Sequence, residues 1–101
     1  MAQPKINIPK AKIEDFCRRW KIKEFALFGS VLREDFRPDS DIDVLVSFAP
    51  EGGITFDNRV KMLDELAEIF GRQVDLVEKD AIRNPFRRHD ILTTKEVVYA
   101  A

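Results

Sequence analysis

The sequence predicts an α/β (α+β) fold, a small mixed β-sheet flanked by helices. Three observations predict it. Apolar residues recur at the spacing of an amphipathic helix in two stretches, 13–20 and 56–70. Short runs rich in Phe, Val, Ile and Leu, at 25–28, 41–48 and 73–77, read as strands between turn-forming residues. The two kinds of stretch alternate as helix, strand, short helix, strand, helix, strand, an order that builds one sheet with helices packed on it.

A chain of 101 residues is the length of one domain, and 1–101 is read as such, with 1–8 a loose arm carrying Pro4. The hydrophobic share of 45%, with eight Phe and one Trp, suffices for a core. The net charge of -1 supplies no basic field for a long nucleic acid, so none is expected as a partner. Cys17 is the only cysteine and predicts a buried apolar residue, and no Cys/His spacing suits zinc. No leader-like or membrane-spanning run is visible, so a cytoplasmic protein without a membrane partner is expected.

Taken in order, Pro9 marks a helix start, and Ile13, Phe16, Cys17 and Trp20 make one apolar stripe. Arg18, Arg19, Lys21 and Lys23 gather at the C-terminal end, where solvated cations favour the helix dipole. Phe25 to Phe28 is a short buried strand broken by Gly29. Ser30 is placed to cap a helical turn over 31–34, and Arg37-Pro38-Asp39-Ser40 is a polar bridge. The strand 41–48 sorts its side chains by alternation: Ile42, Val44, Val46 and Phe48 on one face, Asp41 and Asp43 on the other. After the loop 49–53, Thr55 can cap a helix from about Phe56 to Phe70. Its expected stripe is Phe56, Val60, Leu63, Leu66, Ala67 and Phe70, with Gly71 as the stop, and Asp64, Glu65 and Glu68 outward. This helix should cross the sheet to the strand 73–77, which carries Asp75. Beyond it come a turn at 80–83, a break at Asn84-Pro85, a helix 86–92 with Ile91 and Leu92 inward, and an edge strand at 97–99. Arg83, Arg87 and Arg88 with His89 form a basic cluster: a solvated face, or a contact for phosphate or an acidic partner.

The chemistry concentrates between Phe25 and Phe48. Asp41 and Asp43 stand roughly 7 Å apart along one strand face. Two such carboxylates repel each other unless a divalent cation makes both favourable ligands. Gly29 and Ser30 leave backbone N–H groups at a turn, where phosphate oxygens bind.

Gly29-Ser30, ten intervening residues and Asp41-Ile42-Asp43 resemble the signature of the DNA polymerase β-like nucleotidyltransferase superfamily. The short spacer, Arg33 and the Ser-Asp-Ile-Asp wording narrow the resemblance to minimal nucleotidyltransferase (MNT) domain proteins, the antitoxins of HEPN/MNT toxin–antitoxin pairs. It covers about Phe16 to Tyr99. It implies a polymerase β-like fold and a third carboxylate at Asp75, so that Asp41, Asp43 and Asp75 are the catalytic and metal-binding set. Two Mg²⁺ ions about 4 Å apart would serve a nucleoside triphosphate. Gly29 and Ser30 would hold the β- and γ-phosphates. Arg33 would pair with the triphosphate, or else with Glu34 or Asp35.

The resemblance further implies an enzyme moving AMP from ATP to a protein hydroxyl, a Tyr of a partner HEPN toxin, as a type VII-like antitoxin. Two alternatives stand beside it: an antitoxin that neutralises by binding alone, and a small-molecule nucleotidyltransferase, for which a substrate domain is missing. Leu32 and Glu34 replace the Ala and Gly frequent in similar proteins, and Glu34 and Asp35 add negative charge near the triphosphate. Whether the chain forms an oligomer is left open by the sequence.

Overall fold

The computed structural model describes residues 8–32 and 41–101. The expected arm up to residue 7, the polar bridge and Arg33 lie outside the described residues. The elements run α1 (Lys10–Arg19), β1 (Ile22–Phe28), a 3₁₀ turn (Gly29–Leu32), β2 (Ile42–Phe48), α2 (Phe56–Phe70), β3 (Val74–Glu78), a second 3₁₀ turn (Lys79–Ala81), α3 (Pro85–Thr94) and β4 (Glu96–Ala100).

The four strands form one sheet in the order β3-β2-β1-β4. β1 pairs antiparallel with β2 on one side and β4 on the other, while β2 and β3 run parallel. The parallel pair follows from its connection: α2 is long enough to carry the chain back along the sheet before β3 begins. The mixed α/β sheet expected from the sequence is therefore present, and the C-terminal strand lies at an edge as anticipated.

The main core fills one face. Ile13, Phe16 and Cys17 of α1 meet Phe25 and Leu27 of β1 and Ile42, Val44 and Val46 of β2, with Met62 and Leu66 from α2. Ile8, assigned by sequence to the arm, also packs against this core. Phe16 and Phe25 meet edge-on with ring centroids 6.3 Å apart, an arrangement aromatic quadrupoles favour.

A second, smaller core lies on the opposite face: Ala26, Phe28 and Leu45 from the sheet under Ile82 and Ile91, with Val77 and Leu92 partly buried. Leu45 shares a strand face with Asp43 and is nonetheless buried, so the face read as polar at one end is apolar further along. β2 is a central strand covered on both sides, which is why its run Val44-Leu45-Val46 is continuously apolar.

α2 ends where the sequence indicates. Thr55 Oγ1 accepts from the Asn58 N–H at 3.2 Å and Asn58 Oδ1 accepts from the Thr55 N–H, a reciprocal capping box. Gly71 closes it in the left-handed region at φ 71°. The buried stripe is rotated from the expected one. Met62 and Leu66 are buried and Ile69 and Phe70 partly so, whereas Val60 is 52% exposed.

Two further expectations change. The turn after β1 starts at Gly29, so Ser30 lies inside it and is not its N-cap. Asn84-Pro85 starts α3: Asn84 Oδ1 accepts from the N–H groups of Phe86 and Arg87, and Pro85 takes the first helical position.

Candidate active site

The site forms at the end of the sheet where β1 stops and β2 and β3 begin. Antiparallel pairing sets Phe28, the last residue of β1, opposite Asp43. Parallel pairing sets Asp43 opposite Asp75. Residues opposite one another share a sheet face, so the two carboxylates project from the same side of adjacent strands. Asp41, two residues before Asp43, immediately precedes β2. The Ile42 N–H donates to the Gln73 carbonyl at 3.0 Å and ties the approaches to the two strands together. Asp41 and Asp75 are exposed and Asp43 is half-buried.

All three aspartates line one open cleft of about 360 Å³. Asp64 of α2 lines it too, a carboxylate that helical periodicity assigns to the outer surface. Among the described residues, no three His, Cys, Asp or Glu side chains converge as a preformed metal cage. Mg²⁺ demands less than that, because it retains several waters and takes one or two carboxylates together with substrate phosphates. The donor set suits a hard cation: carboxylate oxygens, with neither thiolate nor imidazole.

Gly29 is required for two reasons. Its φ of 75° lies in the left-handed region, and a Cβ there would overlap Asp43 Oδ2. The strand-breaking glycine thus lets the Asp43 carboxylate lie against the backbone of the turn. Gly29 and Ser30 are the first two residues of that 3₁₀ turn.

Asp43 also borders a second cleft, of about 530 Å³, between the turn and α3. Phe28, Gly29 and Leu32 form one wall, and Arg87, Asp90 and Thr94 of α3 the other. Its volume falls within the usual range for small-ligand sites, roughly 300–1,000 Å³. α3 is held against the sheet by Ile91 and by Arg88 Nη1, which donates to the Lys79 carbonyl at 2.8 Å. The sequence shows Arg87, Asp90 and Thr94 but not their placement, which depends on α3 folding back over the strand face that bears Asp43. Arg83 and His89 are exposed and line neither cleft.

One of the cations gathered around α1 is more than a solvated charge. Arg19 makes a two-pronged contact with Glu65 of α2 at 3.0 and 2.9 Å, and its Nε donates to Asp15 at 2.9 Å. These partners raise the Arg19 pKa further still. Trp20 Nε1 donates to the same Glu65 at 3.4 Å, and its ring packs by Phe16. Trp20 and Arg19 therefore join α1 to α2, away from the aspartates.

A family model described as nucleotidyltransferase domain matches residues 10–98. A protein adenylyltransferase of Methanocaldococcus jannaschii is 36% identical over 73 residues, 72% of this chain and 73% of its own length. A solved minimal nucleotidyltransferase structure superposes with a TM-score of 0.70 at 29% identity, covering 86% of each chain. A toxin–antitoxin crystal structure with AMP-PNP gives 0.73 at 23% identity, covering 92% of this chain and 74% of the other. A Shewanella oneidensis complex of a tri-AMPylated HEPN toxin with its MNT antitoxin gives 0.64 at 22%, covering 91% and 70%. No helix among the described residues is long and apolar enough to cross a membrane.

Proposed function

Since the chain belongs to the nucleotidyltransferase domain family, we propose that it is a Mg²⁺-dependent protein adenylyltransferase that moves AMP from ATP to a hydroxyl, a tyrosine, of a HEPN-domain toxin and so acts as its antitoxin. One observation carries the reading: Asp41, Asp43 and Asp75 border one cleft, and Asp43 is pressed against the Gly29 turn at the mouth of a second. The protein adenylyltransferase relative and the AMPylated-toxin complex support the transfer of AMP and the class of acceptor. The AMP-PNP complex supports an adenosine triphosphate as donor. We place the protein in the cytoplasm, with ATP and a soluble partner, and read residues 1–101 as one catalytic domain.

In this reading Asp41 and Asp43, with Asp75, hold the Mg²⁺, which when bound neutralises phosphate charge and lowers the pKa of the acceptor hydroxyl. The chain's own residues do the rest. The 3₁₀ turn at Gly29 and Ser30 presents backbone N–H groups to the β- and γ-phosphates. The resemblance to minimal nucleotidyltransferases implies that Arg33, outside the described residues, pairs with the triphosphate, with Glu34 or Asp35 as its alternative partner. The acceptor enters from the open cleft of Asp41 and Asp75, while the nucleotide occupies the cleft under α3, so the hydroxyl and the α-phosphorus meet at Asp43. The hydroxyl oxygen forms a bond to the α-phosphorus as the bond from that phosphorus to the bridging oxygen breaks. Pyrophosphate leaves with the electron pair, and the hydroxyl proton passes to the Asp75 carboxylate. Positioning accounts for much of the acceleration, since two bound reactants need no further encounter.

The test is incubation with α-labelled ATP, Mg²⁺ and a candidate HEPN partner. Label on the partner, absent with a chelator and located by mass spectrometry to a hydroxyl side chain, is the expected result. Unlabelled partner under conditions where the two proteins form a complex would overturn the transferase reading.

A further inference from the structure

The cleft under α3 carries one cation that the signature residues do not account for. Arg87 lines it together with Gly29 and Asp43. Its neighbours in the basic cluster are placed otherwise. Arg88 is tied to the Lys79 carbonyl, and Arg83 is exposed outside the cleft. Among the described residues, the Arg87 side chain makes no ion pair or hydrogen bond, although Asp90 follows it by three positions on the same helix. An exposed guanidinium facing a cleft that ends at a carboxylate and a glycine turn is suited to a multiply charged anion, because its planar fork matches phosphate oxygens in pairs.

The remaining walls sort the ligand's orientation. Phe28, Leu32 and Ile91 are apolar and suit a base or sugar face. Asp90 and Asp43 are anionic and repel phosphate in the absence of a cation. Arg87 supplies the one positive side chain among the described residues that line the cleft.

We propose that Arg87 is a nucleotide-binding residue that grips the phosphate chain of the donor from the α3 side, opposite the Gly29 turn. The proposal rests on the nucleotidyltransferase reading of the same cleft. It makes α3 part of the donor site and separates Arg87 in role from Arg83 and Arg88, which the sequence presents as one cluster.

The experiment is calorimetry of the full chain with AMP-PNP and Mg²⁺, and separately with adenosine. Arg87→Gln removes the charge but keeps a polar, though shorter, side chain, Arg87→Lys keeps charge without the fork, and Arg83→Ala removes a cation outside the cleft. Arg87→Gln should weaken AMP-PNP binding about tenfold or more, the scale of a lost charge-assisted contact. Its adenosine affinity should stay within about twofold, Arg87→Lys should recover part of the loss, and Arg83→Ala should bind as the wild type does. Unchanged AMP-PNP affinity in a folded Arg87→Gln protein would overturn the proposal. So would an equal loss in Arg83→Ala, which marks diffuse charge, or an equal loss for adenosine, which marks packing. Wild-type protein that binds no AMP-PNP would sink the nucleotidyltransferase reading first and this proposal with it, an outcome distinct from the others.

Discussion

At the scale of single residues, the contact between Gly29 and Asp43 joins fold to chemistry. Any side chain at position 29 meets both an unfavourable φ and the Asp43 carboxylate. Gly29→Ala should therefore lower stability by at least about 1 kcal/mol, the order expected for an L-residue forced into the left-handed region. It should also weaken nucleotide binding, because Asp43 must move. Urea denaturation paired with AMP-PNP titration checks this, and a variant as stable and as tight as the wild type would show the close approach to be dispensable. Cys17 is a second case. Burial, helped by nearby Glu14, pushes its thiol from 9.0 up to about 12. A raised folded pKa means that the unfolded chain loses its proton first, so this contribution is complete below pH 9 and is lost as pH rises toward about 12. Native protein should accordingly resist iodoacetamide at mildly alkaline pH and react once denaturant is added. Rapid alkylation without unfolding would contradict the burial. Exposed Arg19, by contrast, is worth little as a charge in solvent, and its two-pronged contact with Glu65 matters as the orientation of α1 against α2.

At the scale of elements, α2 shows what a sequence reveals and what it hides. Its ends were legible because Thr55 and Gly71 act locally: one supplies an oxygen to a free N–H, the other adopts a left-handed φ. Thr55→Ala should cost about 1 kcal/mol, seen as a lower urea midpoint with an unchanged slope. A midpoint unmoved by the substitution would mean that Asn58 and packing hold the terminus alone. The stripe was less legible, because α2 is apolar at Val60, Met62, Leu63, Leu66 and Ile69, and two neighbouring stripes fit that pattern. Packing into the main core chose the one through Met62, leaving Val60 exposed. Asn84-Pro85 reads as a break ahead of a helix from Phe86, and it is itself the helix start, since Pro needs no N–H at the first position. The short distance from Asp41 to Asp43 along one strand face could be read from alternation alone. The cover over that face could not: Leu45 is buried by a helix some forty residues downstream, and no local pattern announces that contact. The placing of Arg87 shares this cause.

At the scale of the whole molecule, the sheet order β3-β2-β1-β4 puts the strand that carries Asp43 between the Gly29 turn and Asp75, so the site exists only when both the β1–β2 and the β2–β3 pairings are made. The main apolar core, Ile42 and Val44 included, fills the opposite face of the sheet and does not depend on the site's charge. This separation allows a clean test of whether the proposed antitoxin acts by modification or by occupancy. Asp41→Asn combined with Asp43→Asn keeps side-chain volume and removes two charges from the cleft. The fold should survive, because Ile42, Val44 and Val46 point to the opposite face and are fully buried there. Label transfer to the proposed partner should fall by at least about a hundredfold, the scale of losing groups that stabilise developing charge. If neutralisation requires the AMP mark, the partner's toxicity should return in cells even though the two proteins still co-purify, because this substitution leaves every surface outside the cleft unaltered. If the folded double variant neutralises as fully as the wild type at equal concentration, the mark is unnecessary and binding alone is the mechanism. Titrating the ratio of the two proteins decides between them: an enzyme protects an excess of partner by turning over, whereas a binder protects only its stoichiometric equivalent.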